Sequence, residues 1–309
     1  MEKPEVLCKG QAVIDCITRR QEPDRHKENV YRAEKIELHV GGDAVNESIA
    51  LVRMGHRAAI QCGVGADLGG GILRTELERR GVDTSRVTVK EELATPIAQL
   101  VVHRDGGRHS INSRATLLEG YFPSLSRADL EGAKIVSLAS LFRAPLDQAD
   151  TVRRLVLAAK EAGAVVSADT KLPTFREMKM EELADVWPLV DFIFPNEKEA
   201  AYYTGFTSPD SSVETGPSPD DFWEMAEALR KYGIKNVIVK AGADGCYVNG
   251  ETGCFHLPAL PVEVVDSTGA GDNFVAGFLS GVLRGKNIRE CAENGRESAA
   301  KSLLRMGAN

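Results

Sequence analysis

The residues best suited to chemistry lie near the end of the chain, in Thr268-Gly269-Ala270-Gly271-Asp272. They precede a segment whose helical spacing puts Phe274, Val275, Phe278, Leu279 and Val282 on one inner face. Glycines let successive backbone N–H groups turn toward one point, and the helix that follows adds its positive N-terminal end. Such a loop suits a phosphate or the negative charge that develops in a transition state. Asp272 at its edge is placed to accept a proton from an attacking hydroxyl. The same residues also fit a plain glycine turn in which Asp272 starts the helix as a cap, so taken alone they leave both readings open.

Further stretches carry groups of the same kind. Gly10–Asp15 (GQAVID) reads as the end of a first strand finishing in a carboxylate, a group that accepts from two hydroxyls at once. Val40–Asn46 (VGGDAVN) leads into a helix with Val45, Ile49 and Val52 on one face and Gly55 after its end. Roughly twenty residues further on, Gly63–Gly71 (GVGADLGGG) contains Asp67, and its Gly63-Val64-Gly65 is by itself a weak dinucleotide-type signal or a strand-to-helix turn. Pro195–Glu199 (PNEKE) supplies Asn196 and Glu199, oxygen groups sufficient for a hard cation held mainly by a triphosphate. Val239–Gly245 (VKAGADG) is a strand-to-turn segment with Lys240, Gly242 and Gly245. The chain has no GxxxxGK[ST] phosphate loop.

In this order the motifs resemble those of the ribokinase (PfkB-type) family of ATP-dependent carbohydrate and nucleoside kinases, over roughly residues 5 to 308. DSTGAGDNF is similar to the family's C-terminal signature. The resemblance implies that Asp272 is the catalytic base and that Gly269, Ala270 and Gly271 form the anion hole for the transferring phosphoryl group. It assigns Asp15, Gly41, Gly42 and Asn46 to the sugar. Asn196 and Glu199 fall to ATP and magnesium, Glu199 acting on the metal through water. Lys240, which replaces a frequent threonine, lies near the nucleotide with Gly242, Gly245 and Asn294. Asp266 and Thr268, with Ser302, Arg305 and Gly307, fall to a monovalent cation, potassium in many relatives. For the acceptor, Ser137–Leu141 (SLASL) is similar to fructokinase-type members, and Arg114 falls near an arginine of fructokinase-like and 2-keto-3-deoxygluconate kinase-like relatives. Asp169-Thr170-Lys171 stands where many of them have Asp-x-Asn-x-Arg, placing Asp169 and Lys171 near the substrate and departing from the pattern for a carboxylated sugar.

The elements that must position these residues follow from periodicity. Ala133–Leu138, Ala164–Asp169, Val190–Phe194 and Lys235–Lys240 read as strands. Between the first two, Val152, Leu155, Val156 and Ala159 recur at helical spacing, and Gly163 is a natural stop. The alternation predicts a single α/β domain over residues 1–309, a ribokinase-like doubly wound, mainly parallel sheet with helices on both faces and ligands beyond the carboxyl ends of the strands. Residues 17–40 and 96–114 break the rhythm. The second of these reads as two strands joined through Asp105-Gly106-Gly107. Together they predict either a small antiparallel β lid closing over the sugar or a pair of ordinary hairpins. In relatives such a lid often also forms a dimer interface, and the alternation of Ile97, Leu100 and Val102 is compatible with that. Ser208–Pro219 is a polar surface loop.

At 309 residues, with 27% charged and 43% hydrophobic residues, the composition is that of a globular, enzyme-sized chain and not of a disordered one. Its net charge of −7 and lack of a basic run do not point to a nucleic-acid or anionic-membrane partner. Apolar runs are too short to span a bilayer, and Lys9, Gln11 and Asp15 interrupt any signal-peptide core. The expectation is a cytoplasmic protein with reduced thiols, since the six cysteines form no CxxC pair. The leading expectation is an ATP-dependent kinase acting on the primary hydroxyl of a ketose or related sugar. A ribokinase or nucleoside kinase is the alternative within the family. From other classes stand a non-catalytic nucleotide or sugar sensor, and a dinucleotide-dependent oxidoreductase resting on Gly63.

Overall fold

The computed structural model describes residues 3–20, 33–102, 108–113, 125–174, 176–206, 217–305 and 307–309. β-Branched runs alternating with amphipathic segments become a nine-stranded sheet. Its strands, in chain order, are β1 (Val6–Lys9), β4 (Ala58–Gly65), β5 (Asp83–Lys90), β8 (Ile135–Leu141), β9 (Val165–Thr170), β10 (Phe192–Ile193), β11 (Asn236–Lys240), β12 (Cys246–Gly250) and β13 (Gly253–Leu257). In space the order is β13-β12-β11-β10-β9-β8-β1-β4-β5. All pairings are parallel except β11–β12 and β12–β13. A second sheet, ordered β3-β2-β6-β7, holds β2 (Val13–Arg20), β3 (Ala33–Gly41), β6 (Ile97–Val102) and β7 (Arg108–Asn112).

Helices cover both faces of the large sheet, as parallel crossovers require. Helices α3 (Ala149–Glu161), α4 (Glu197–Thr204) and α5 (Pro219–Arg230) bury Val152, Leu155, Val156, Tyr203 and Phe222 with Trp187 on one side. On the other, α1 (Asp43–Arg53), α2 (Leu68–Arg79), α6 (Ala270–Leu283) and α7 (Ile288–Leu303) bury Val45, Ile49, Leu73, Phe274, Phe278 and Ala292. Gly163 follows α3 with φ 75°, the expected stop. Phe278 contacts Phe192 and Phe194 edge-on, with ring centroids 5.1 Å apart in each pair. This lodges α6 against the middle of the sheet.

Several expectations change in detail. The lid begins at Val13, so Asp15 is a lid residue and does not close the first strand. After β1 the chain bends at Gly10, where a Cβ would come 2.9 Å from Ser140 Oγ, and enters the lid at once. The lid is antiparallel in its outer pairs, but β2 and β6 run parallel at its centre. Gly63, Val64 and Gly65 lie inside β4, paired with Thr88, Val89 and Lys90, so they form no dinucleotide turn. The strand expected over Val190–Phe194 is confined to Phe192–Ile193. Arg114, the Asp105-Gly106-Gly107 connection and most of the Ser208–Pro219 loop lie outside the described residues. All six cysteines are free thiols, and among the described residues no helix is long and apolar enough to cross a membrane.

Candidate active site

The parallel strands β8, β9, β10 and β11 end on one side of the sheet, and the groups singled out above collect beyond those ends. Asp272 lies in the first turn of α6, whose N-terminal cap is Gly269 and not Asp272. The capping alternative is therefore not realised. Gly269 sits at φ 72°, and a Cβ there would come 2.4 Å from Ala308 Cβ, so only glycine lets the loop lie against the 307–309 segment. No backbone carbonyl among the described residues accepts from the N–H groups of Gly271 and Asp272. Open N–H donors beside the positive end of a helix suit an anion.

Asp272 is 4% exposed. Its Oδ2 accepts from Asn46 Nδ2 at 2.6 Å, and its Oδ1 lies 3.5 Å from Lys171 Nζ. Burial pushes its carboxyl up to about 6. Lys171 pulls it down, Asp43 and Asp169 add to the rise, and the Asn46 hydrogen bond opposes it. The carboxyl is thus ionised at neutral pH yet close to the range in which it takes up a proton.

Lys171, just past β9, joins the acids into one network: its Nζ is 3.1 Å from Asp169 Oδ2 and 3.2 Å from Asp43 Oδ1. Burial alone would favour the neutral amine, but Asp169, Asp43 and Asp272 outweigh it and hold the ammonium charged well above its ordinary range. Lys240 Nζ reaches the other oxygen of Asp169 at 2.5 Å. A Cβ on Gly271 would lie 3.3 Å from that same nitrogen, so Lys240 borders the 269–271 loop.

On the acceptor side, a Cβ at Gly41 would fall 1.9 Å from Asp15 Oδ2; glycine there lets the Asp15 carboxylate lie against the start of α1. Burial raises Asp15 to about 6, with Asp43 and Asp272 adding like charge. On the nucleotide side, Asn196 caps α4 and forms a reciprocal box with Glu199. Glu199 Oε2 accepts from Thr170 Oγ1 and Asn196 N, each at 2.9 Å, while Oε1 accepts from Asn196 Nδ2 at 2.7 Å. With both oxygens engaged, Glu199 suits a magnesium ion through water better than by direct ligation. Gly242 has open space where a Cβ would point, and Lys240 N donates to Pro195 O at 2.8 Å, binding the two nucleotide-side segments together.

Other expected residues lie on α2, on α7 and around Asp266. Asn294 lies on the face of α7 toward α6 and accepts from Lys286 Nζ at 3.0 Å, in a groove with Arg53 and Arg284. Arg296 of α7 donates from Nη1 to Pro258 O, just past β13, at 3.1 Å. Of the cation set, Asp266 gathers Thr268 (N at 2.9 Å, Oγ1 at 2.7 Å) and Gly307 N at 2.9 Å. The Ser302 hydroxyl turns back to Ala299 O, and Arg305 is exposed. Asp67 caps α2 through Gly70 N and holds Thr95 N, each at 2.8 Å, which anchors the approach to β6.

Three site residues escaped the sequence reading. Asp43 accepts from Ser140 Oγ at 2.8 Å in addition to its Lys171 contact. Glu47 is fully buried with Ser137 Oγ donating at 2.6 Å, and burial holds its carboxyl well above the usual range. Asp43, Asn46 and Glu47 stand at i, i+3 and i+4, so one polar face of a helical turn was the available signal. Asn309 Nδ2 donates to Asn46 Oδ1 at 2.7 Å and to Val40 O at 3.1 Å. No local pattern announces it.

A pfkB family carbohydrate kinase model matches residues 3–309. An uncharacterized sugar kinase of Archaeoglobus fulgidus is 29% identical over 266 residues, covering 84% of this chain and 96% of that protein. Ribokinase of Haemophilus influenzae is 25% identical over 273 residues, covering 87% and 82%. The structure of Arabidopsis thaliana ribokinase complexed with ribose and ATP superposes with a TM-score of 0.80 at 22% identity, over 99% of this chain and 94% of that one. With the match running from residue 3 to residue 309, through Gly41-Gly42 and the Gly269–Asp272 segment, the chain belongs to the pfkB family of carbohydrate kinases and is an ATP-dependent kinase.

Proposed function

We propose that the protein transfers the γ-phosphoryl group of ATP to a primary hydroxyl of a ketose or related sugar, with Asp272 as base and the 269–271 loop as anion hole. The observation that carries this reading is the position of the Asp272 carboxylate: buried at the start of α6, held by Asn46 from the acceptor glycine segment and flanked by Lys171. The acceptor hydroxyl gives its proton to Asp272. Its oxygen attacks the γ-phosphorus, the bond to the β–γ bridging oxygen breaks, and ADP leaves. The N–H groups of the loop and the ammonium of Lys240 offset the charge on the phosphoryl oxygens. Asn196 and Glu199 would hold hydrated magnesium, which supplies Lewis-acid neutralisation of the phosphates. Asp266 and Thr268, with Ser302, Arg305 and Gly307, would hold a monovalent cation. Asp15, Asn46, Asp169 and Lys171 orient the sugar, and the lid excludes water from the cleft.

A ribokinase or nucleoside kinase is the alternative, separated by whether an acceptor carrying a base on C1 is used. We also propose that two copies pair through the outer face of the lid. The test of the reaction is ADP release with magnesium and potassium across ketoses, ribose, keto-deoxy sugar acids and nucleosides. Asp272→Asn should lower turnover at least about 100-fold while ATP still raises the melting temperature. Turnover retained by that variant would overturn the assignment.

A further inference from the structure

We infer that the acceptor side of the cleft selects uncharged polyhydroxylated molecules against those carrying a carboxylate or phosphate, and that Asp43 is the residue that sets this selectivity. The inference rests on the kinase reading and narrows its substrate. Asp15, Asp43 and Asp272 face the cleft from three different elements, β2, α1 and α6. Among the described residues the cation that meets them is Lys171, 3.2 Å from Asp43 and 3.5 Å from Asp272. That ammonium is already shared with Asp169 at 3.1 Å, and Lys240 is committed to the same Asp169. Arg143, at the end of β8, turns its Nε to the Leu172 carbonyl at 2.9 Å. Asp15 has no hydrogen bond or ion pair with any described residue, which leaves its oxygens to accept from a ligand.

The consequence, among the described residues, is a wall with carboxylate acceptors in excess, whose two ammonium groups are already shared with Asp43, Asp169 and Asp272. A polyol satisfies such a wall by donating hydroxyl hydrogens, which ionised carboxylates accept in charge-assisted bonds. An acid acceptor brings a further negative charge into a site of low dielectric and meets the like charge of Asp15, Asp43 and Asp272. Asp43 acts twice. It contributes one of these charges, and it occupies Lys171, the ammonium that a carboxylate or phosphate would otherwise claim. Its orientation is secured by the Ser140 hydroxyl, so the carboxylate cannot turn aside to admit an anion.

The test is calorimetric binding to the full chain in the presence of magnesium and a non-hydrolysable ATP analogue. Fructose, ribose and glucitol are compared with gluconate, 2-keto-3-deoxygluconate and ribose 5-phosphate. The best neutral ligand should bind at least about 100-fold more tightly than the best acid one. Asp43→Asn should narrow that ratio by about 10-fold or more, and Asp43→Glu, which keeps the charge, should retain it. Tightest binding by an acid, or no binding by any neutral polyol, would overturn the inference. So would an unchanged ratio in Asp43→Asn. Because binding is read without turnover, these outcomes stay distinct from a failure of the kinase reading, which would appear as ligand binding without ADP release from the natural nucleotide. If Asp43→Asn does not fold, the wild-type ratio and that of Asp43→Glu still decide the selectivity.

Discussion

Asp272 works through an amide whose orientation is dictated from the other side. The Asn46 side chain can offer the carboxylate either its N–H or its carbonyl oxygen, and only the first stabilises the ionised base. Asn309 donates to the Asn46 oxygen at 2.7 Å, and that requires the amide nitrogen to face Asp272 at 2.6 Å. The Asn46 hydrogen bond holds down a carboxyl that burial has raised to about 6. A base must be ionised to accept a proton, so kcat/KM should fall as pH drops through about 6 and level off above it. Asp15, also near 6, titrates with it, so the limb belongs to the pair. Replacing Asn309 by Ala frees the Asn46 amide to turn and weakens the bond that favours the anion. The acid limb should then move to higher pH, with turnover at pH 8 less affected than at pH 6. An acid limb that stays in place would exclude this orienting role. The Gly-Ala-Gly-Asp run was legible in the sequence because its parts are consecutive and their chemistry is local. The Asn309–Asn46 contact was not, since its partners are brought together by packing of the whole chain.

The element that carries the base is buried on more than one face. The spacing of Phe274, Val275, Phe278 and Leu279 correctly identified the side of α6 toward the sheet, and these residues are buried. It said nothing of the opposite side, where small residues do the packing. A Cβ on Gly277 would meet Asn294 O at 2.6 Å and Ser298 Cβ at 2.7 Å, and one on Gly281 would meet Cys291 Sγ at 2.9 Å. Glycine carries no hydrophobic signal, so a close helix crossing is silent in a periodicity reading. The same blindness hid the glycines of β4, and a two-residue β10 was too short to outline. Because α7 continues into the segment that touches Gly269, the crossing also sets the anion loop. Gly277→Ala should push the helices apart and lower stability by about 1–3 kcal/mol, read as a reduced urea midpoint at unchanged m-value. Stability equal to wild type would mean that α6 and α7 have slack at their crossing.

At the scale of the whole molecule, the described residues cover both sides of the large sheet but only one side of the lid. The register of the lid puts Asp15 and His39 on one face, the face that meets the site. Leu38, Cys16, Gln99 and Ile111 fall in line across the other. There Ile36, Leu38, Ile97 and Ile111 are 64%, 61%, 47% and 61% exposed. The surface runs on into an open groove of about 690 Å³ between the lid and α2, lined by Ile14, Leu38, Val40, Leu68 and Ile72. A bare apolar sheet face of this extent calls for a cover, and the proposed cover is the same face of a second copy, which would be self-complementary about a two-fold axis. The expected sedimentation mass at working concentration is that of a dimer, and Ile111→Lys should reduce it to a monomer by burying an unpaired charge at the seam. Asp15 hangs from the other side of this sheet, so loss of the pairing should also loosen the acceptor wall. The KM for the sugar should then rise while ATP protection is unchanged. A wild-type monomer would remove the second copy from the argument, leaving the lid to hold Asp15 through its own strand pairing and the Gly41 contact alone.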